Sequence, residues 1–149
     1  MMNEALVLLL TLLTVKQIDT QPNGAVVTFA EGQSGRVLAT HKNYDYYLRL
    51  ANDSLKEQEP IGISLTAKGQ IVEIEDADSD IPTSMIDVDQ ERVQIIFQGH
   101  AGIYYLLKNN PRFKQLSELL HQSIQDKTRV WFVAQHPWLN LMDVINYAQ

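Results

Sequence analysis

Apolar and polar residues alternate along most of this chain, and in two stretches the alternation gives way to a helical period. Ile61, Ile63 and Leu65 alternate with Gly62, Ser64 and Thr66, which predicts a strand with one buried face. Similar β-rich runs occur at Thr11 to Thr20 (Leu13, Val15, Ile18), Ala25 to Ala30, Arg36 to His41 and Ile71 to Ile74. The second half supplies Met85 to Val88, Val93 to Phe97, Ile103 to Lys108, Arg129 to Ala134 and Trp138 to Ile145. Turn residues punctuate the runs: Gln21-Pro22-Asn23-Gly24, Glu31 to Gly35, Lys68-Gly69, Gly99-His100-Ala101-Gly102 and His136-Pro137.

Two stretches carry the 3.6-residue spacing instead. Tyr44, Tyr47, Leu48, Ala51 and Leu55 share one helix face, with Asn43 as N-cap and Pro60 as a stop. Phe113, Leu116, Leu120 and Ile124 do the same, with Leu119 beside them and Asn110-Pro111 predicted as N-cap and first helical residue. Both halves therefore read β-β-β-α-β-β. An offset of 67 positions aligns Gly32 with Gly99, Gly35 with Gly102, Asn43 with Asn110 and Asp76 with Asp143, while the helix faces superpose at 69. The expectation is an α+β protein of two tandem βββαββ repeats of about 65 residues, at 1–80 and 81–149. The acidic stretch Asp76 to Ser84 is the expected linker. Each repeat is a small antiparallel sheet with one helix or an OB-like partial barrel, since the OB-fold has the same element order. Short strands with few glycine bends favour the open sheet. Units this small bury little surface alone, so the two are expected to pack together.

Charge and composition narrow the partners. The 149 residues contain no cysteine, which removes disulfides, thiolate metal sites and cysteine nucleophiles. Net charge is −6, with all the excess acid in residues 1–80, and this disfavours nucleic acid. The apolar run Ala5 to Val15 is too short to span a bilayer, which needs about 20 residues. It also lacks the basic start and small-residue cleavage site of an export signal, so a retained first strand and a cytoplasmic protein are expected.

No chemistry-bearing motif stands out. His41, His100, His121 and His136 have no metal-ligand spacing. Asp76, Asp78 and Asp80 form a D-x-D-x-D string, but Ile81, Pro82 and Asp87 occupy positions where a calcium loop needs other residues. The Gly-x-x-Gly turns feed strands rather than a helix N-terminus, unlike a phosphate loop. No catalytic residue, metal or cofactor is predicted, and the protein is read as not an enzyme. The distinguishing feature is a second half with strands apolar on both faces. That predicts a module for protein–protein interaction or self-association, with Tyr104, Trp131 and Trp138 as anchors, Arg129 beside them and His100 presented by its turn. The alternative is an OB-like protein that stacks oligonucleotide or oligosaccharide rings on Tyr104, Tyr105 or Trp131, flanked by Lys108, Lys127 and Arg129.

Overall fold

The computed structural model describes residues 9–147, so the start of the apolar N-terminal run lies outside the described residues. The chain divides into two compact units, Met1–Asp76 and Ala77–Gln149. It is an α+β protein, mostly strand, with two helices. Among the described residues no helix is long and apolar enough to cross a membrane.

In the first unit the strands are β1 (Thr11–Leu13), β2 (Val15–Gln21), β3 (Gly24–Phe29), β4 (Ser34–Leu38), β5 (Ile61–Leu65) and β6 (Ile71–Glu75), with helix α1 at Tyr44–Glu57. They form two three-stranded antiparallel sheets, ordered β1-β5-β6 and β2-β3-β4. A single parallel bridge, Arg36 to Gln70, links the two sheets. In the second unit β7 (Asp78–Asp80), β8 (Pro82–Asp87), β9 (Arg92–Phe97), β10 (Tyr104–Leu107), β11 (Val130–Gln135) and β12 (Asn140–Asn146) form one six-stranded sheet, with helix α2 at Phe113–Asp126. Its order is β7-β11-β12-β10-β9-β8, antiparallel except for β10 beside β12 at Tyr105 and Asn140. The strands at the two ends of that order, β7 and β8, are separated in sequence by Ile81 alone.

Each unit thus places four strands, not three, before its helix. The first strand of each unit is broken at one residue, Thr14 inside the predicted strand of the first and Ile81 inside the predicted linker of the second, and its two parts pair with different neighbours. The break leaves no carbonyl idle: Ala30 N–H donates to Thr14 O at 2.8 Å, and Gln98 N–H to Ile81 O at 2.9 Å. The stretch read as an acidic linker is therefore strand β7 and the start of β8. Asp80, which hydropathy assigns to solvent, is only 5% exposed, because three donors surround its carboxylate.

Both helices have 14 residues. In α1 the buried stripe is Tyr47, Leu50, Ala51 and Ser54, so Leu50 replaces the expected Leu48, and Tyr44 and Leu55 pack at the margin. α2 buries Leu116, Leu120 and Ser123. It starts at Phe113 rather than at Pro111, because Asn110 Oδ1 accepts Arg112 N–H at 2.8 Å and so closes a turn before the helix. Each helix ends in a left-handed residue that is not glycine, Gln58 or Lys127 with φ 57°, whose N–H caps a serine carbonyl four residues back.

One apolar core lies in each unit. Val15, Val27, Phe29, Val37 and Ile63 lead the first; Ile95, Leu106, Leu120, Val130 and Phe132 lead the second. Phe97 and Phe132 stack at 4.2 Å with planes 11° apart, and Tyr104 meets both edge-on at 5.3 Å. Burying a ring of this size contributes roughly 2–3 kcal/mol.

Candidate functional site

Alternation along β10 sorts its four residues. Tyr104 and Leu106 point into the core, while Tyr105 and Leu107 face outward and remain half-buried. Tyr104, an expected contact residue, is therefore a core residue with 6% exposure and offers no surface to a partner. Burial, then the charges of Asp78 and Asp80, push its phenol above the ordinary tyrosine value.

The loop between β11 and β12 runs beside β10. Tyr105 N–H donates to Leu139 O at 3.0 Å, and a Cβ on Gly102 would lie 3.7 Å from Leu139 Cδ1, so the loop is anchored beside β10. Trp138 in that loop is 70% exposed, and Ile103 at the foot of β10 is 40% exposed. The Arg92 guanidinium lies 4.4 Å from the Tyr105 ring centre, a cation–π contact. Arg92 also pairs with Asp89 at 3.3 Å, and Lys108 pairs with Asp87 at 2.7 Å while donating to Asp89 O at 2.7 Å. Arg92 and Lys108 are thus already paired with neighbouring acids.

Arg129 and Trp131 sit together at another place on the same sheet. Trp131 stacks on Tyr147 at 5.3 Å, and the Arg129 guanidinium lies 5.7 Å from the Tyr147 ring. Arg129 also donates to Ser79 O at 3.1 Å. Trp131 is paired with Ile145, five residues along β12 from Asn140, so this cluster lies about 16 Å along the strand from the Trp138 loop. The structure therefore brings Arg129 and Trp131 together and leaves Trp138 apart from them.

His100 is held by chain segments distant in sequence. Its Nδ1 lies 2.5 Å from Asp80 Oδ2, and its Nε2 lies 3.9 Å from Asp78 Oδ1. Asp80 Oδ2 also accepts Gly99 N–H at 2.8 Å, and Oδ1 accepts Ile81 N–H at 2.7 Å. Burial alone would raise the Asp80 carboxyl. The hydrogen bonds from His100, Ile81 and Gly99, with the His100 charge, outweigh burial and hold it below the ordinary carboxylate value of 3.8. The imidazole packs edge-on to Phe97, Tyr104 and Phe132. This acid–imidazole pair has no serine or threonine hydroxyl bonded to its second nitrogen among the described residues.

Two further charged features lie outside the predicted site. Arg112 Nη1 pairs with the buried Asp143 at 3.1 Å across 31 residues of sequence. On β6, burial pushes the Glu75 carboxyl up to about 7, assisted by a hydrogen bond that the protonated carboxyl donates to Glu73 and by the charges of Glu73 and Asp76. Among the described residues no group of three or more histidines or acids is arranged to hold a metal. No family model matches the chain, and no curated protein and no solved structure matches it.

Proposed function

We propose that the chain is a non-catalytic binding module built from two OB-like units, and that the second unit docks a protein partner on the outer face of β9–β10 and the adjoining loop. Three features support the OB-like reading: a helix between the third and fourth sheet strands, a parallel contact between the third and fifth, and a broken first strand whose halves occupy both ends of the sheet order. The same element order in both units supports the tandem repeat.

Trp138 carries the functional reading. A tryptophan 70% exposed on a loop fixed to β10 forgoes about 2–3 kcal/mol of burial, and docking would recover it. Exposed Ile103 and the Tyr105–Arg92 pair extend the surface, in the aromatic, apolar and arginine mixture that protein interfaces favour. The ion pairs of Arg92 and Lys108 argue against a phosphate backbone as the ligand here. In a Trp131→Phe background Trp138 is the sole tryptophan, and its emission should shift to the blue when a partner or second copy docks. Light scattering over a concentration series and cross-linked capture of partners should both respond to Trp138→Ser. If that variant leaves mass and captured proteins unchanged, the reading fails.

A further inference from the structure

We propose that the first unit carries an oxyanion-binding groove, centred on Arg36 and Lys68, that takes a phosphate or sulfate group. A surface cavity of about 300 Å³ is lined by Val26, Ser34, Arg36, Lys68 and Gln70, with the backbone of Gly35 and Gly69. Its lining contains two cations, a hydroxyl and a carboxamide, and no acid. This is unexpected in the half of the chain that holds the excess negative charge. The nearest acid in the outward row is Asp19, paired with Val26, which in turn faces Arg36. Two strand spacings put it roughly 9–10 Å from the Arg36 backbone.

The donors are free and their backbone is fixed. Among the described residues the side chains of Arg36, Lys68, Ser34 and Gln70 make no hydrogen bond or ion pair. The loop that carries Lys68 is closed by Thr66 N–H to Gln70 O at 2.8 Å, Gly69 N–H to Thr66 O at 3.0 Å and Gln70 N–H to Thr66 Oγ1 at 3.0 Å. It is tied to β4 by Arg36 N–H to Gly69 O at 2.9 Å. Gly69 has φ +81°, which a side chain would adopt only with strain. A Cβ on Gly35 would lie 2.5 Å from Leu65 and 2.7 Å from Ile71, so only glycine lets β4 lie this close to them. The loop, the strand and the two glycines therefore place Arg36 and Lys68 on the lining of one cavity, on backbone that is already hydrogen-bonded. A planar guanidinium can bind two oxygens of a tetrahedral anion while the ammonium binds a third. Two unpaired cations cost self-repulsion in the free protein, and a bound dianion would relieve it.

The site is independent of the docking surface on the second unit, and either can fail alone. The test is amide NMR of the full chain at low ionic strength, titrated with inorganic pyrophosphate and, separately, with a sulfated disaccharide. The expected result is saturable shifts at Ser34–Arg36 and Lys68–Gln70 with at least one of the two. The affinity should fall at least about tenfold in Arg36→Gln and in Lys68→Gln, and also on adding salt. The tighter of the two probes identifies the source of the oxyanion. Absence of saturable shifts with both, or affinity unchanged in the double variant, overturns the proposal.

Discussion

At the point where the loop before the last strand meets the strand before the helix, the two units share backbone geometry and differ in chemistry. Arg36 bridges Gln70 in the first unit, and Tyr105 pairs with Asn140 in the second, both in parallel. The loops that reach these bridges present Lys68 in one unit and Trp138 in the other. One face is cationic and polar, the other aromatic, on equivalent frames. Backbone hydrogen bonds fix the loop in both cases, through Gly69 O and Leu139 O, so outward side chains can change without loss of fold.

The broken first strand shows a second contrast. In the first unit Ser54 Oγ accepts Val15 N–H at 3.0 Å and donates to Glu59 O at 2.6 Å, while a Glu31 carboxylate accepts Thr14 N–H at 3.2 Å. In the second, Asp80 alone accepts Ile81 N–H, Gly99 N–H and the His100 imidazole. Asp80→Ala should therefore have the largest effect, about 3 kcal/mol by urea unfolding, since it removes the acceptor of three part-buried donors at once. The wild-type pH dependence follows from the lowered Asp80 pKa: its contribution is complete above pH 3.8 and is lost as pH falls through the lower folded value. Asp80→Asn should flatten that acid limb. Ser54→Ala should cost less, about 1–2 kcal/mol, because Val15 N–H is the main donor left behind. Equal costs for the two alanine variants would abolish the contrast.

The last strands sharpen it further. Asp143 on β12 has Arg112 as partner, whereas among the described residues Glu75 on β6 has no cation. A carboxyl raised to about 7 in the folded state stabilises below pH 4.5, the ordinary glutamate value, and that contribution is lost as pH rises through 7. Glu75→Gln should accordingly gain about 1 kcal/mol at pH 8, after discount for solvent screening, and nothing at pH 4. Thermal unfolding at the two pH values checks this. The smallest stability effects, under about 0.5 kcal/mol, are expected for Trp138→Ser and Lys68→Gln, both exposed. These variants should lose partner docking and oxyanion binding, respectively, while melting like the parent.

Much of the element order was legible from the chain alone. Period-two and period-3.6 patterns report which face of a local segment is buried, and they locate both helices and most strands near Val26, Ile63, Val93 and Val130. They cannot report where a strand breaks to pair with two neighbours, because Thr14 looks like any strand residue and Ile81 lies in a run of acids that reads as a linker. The direction of alternation in β10 was equally hidden: Tyr104 and Tyr105 are indistinguishable by composition, and only packing against Phe97 and Phe132 puts the first inside. The sequence by itself determined the mixed α+β class, the helical stripes, the turns and the acidic balance, since each depends on residues within a few positions of one another. Tertiary structure alone decided the pairing of Asp80 with His100, of Arg112 with Asp143, of Trp131 with Tyr147, and of Arg36 with the Lys68 loop. Those contacts join residues 16 to 34 positions apart, and no local pattern encodes which distant groups a twisted sheet will bring within hydrogen-bonding range.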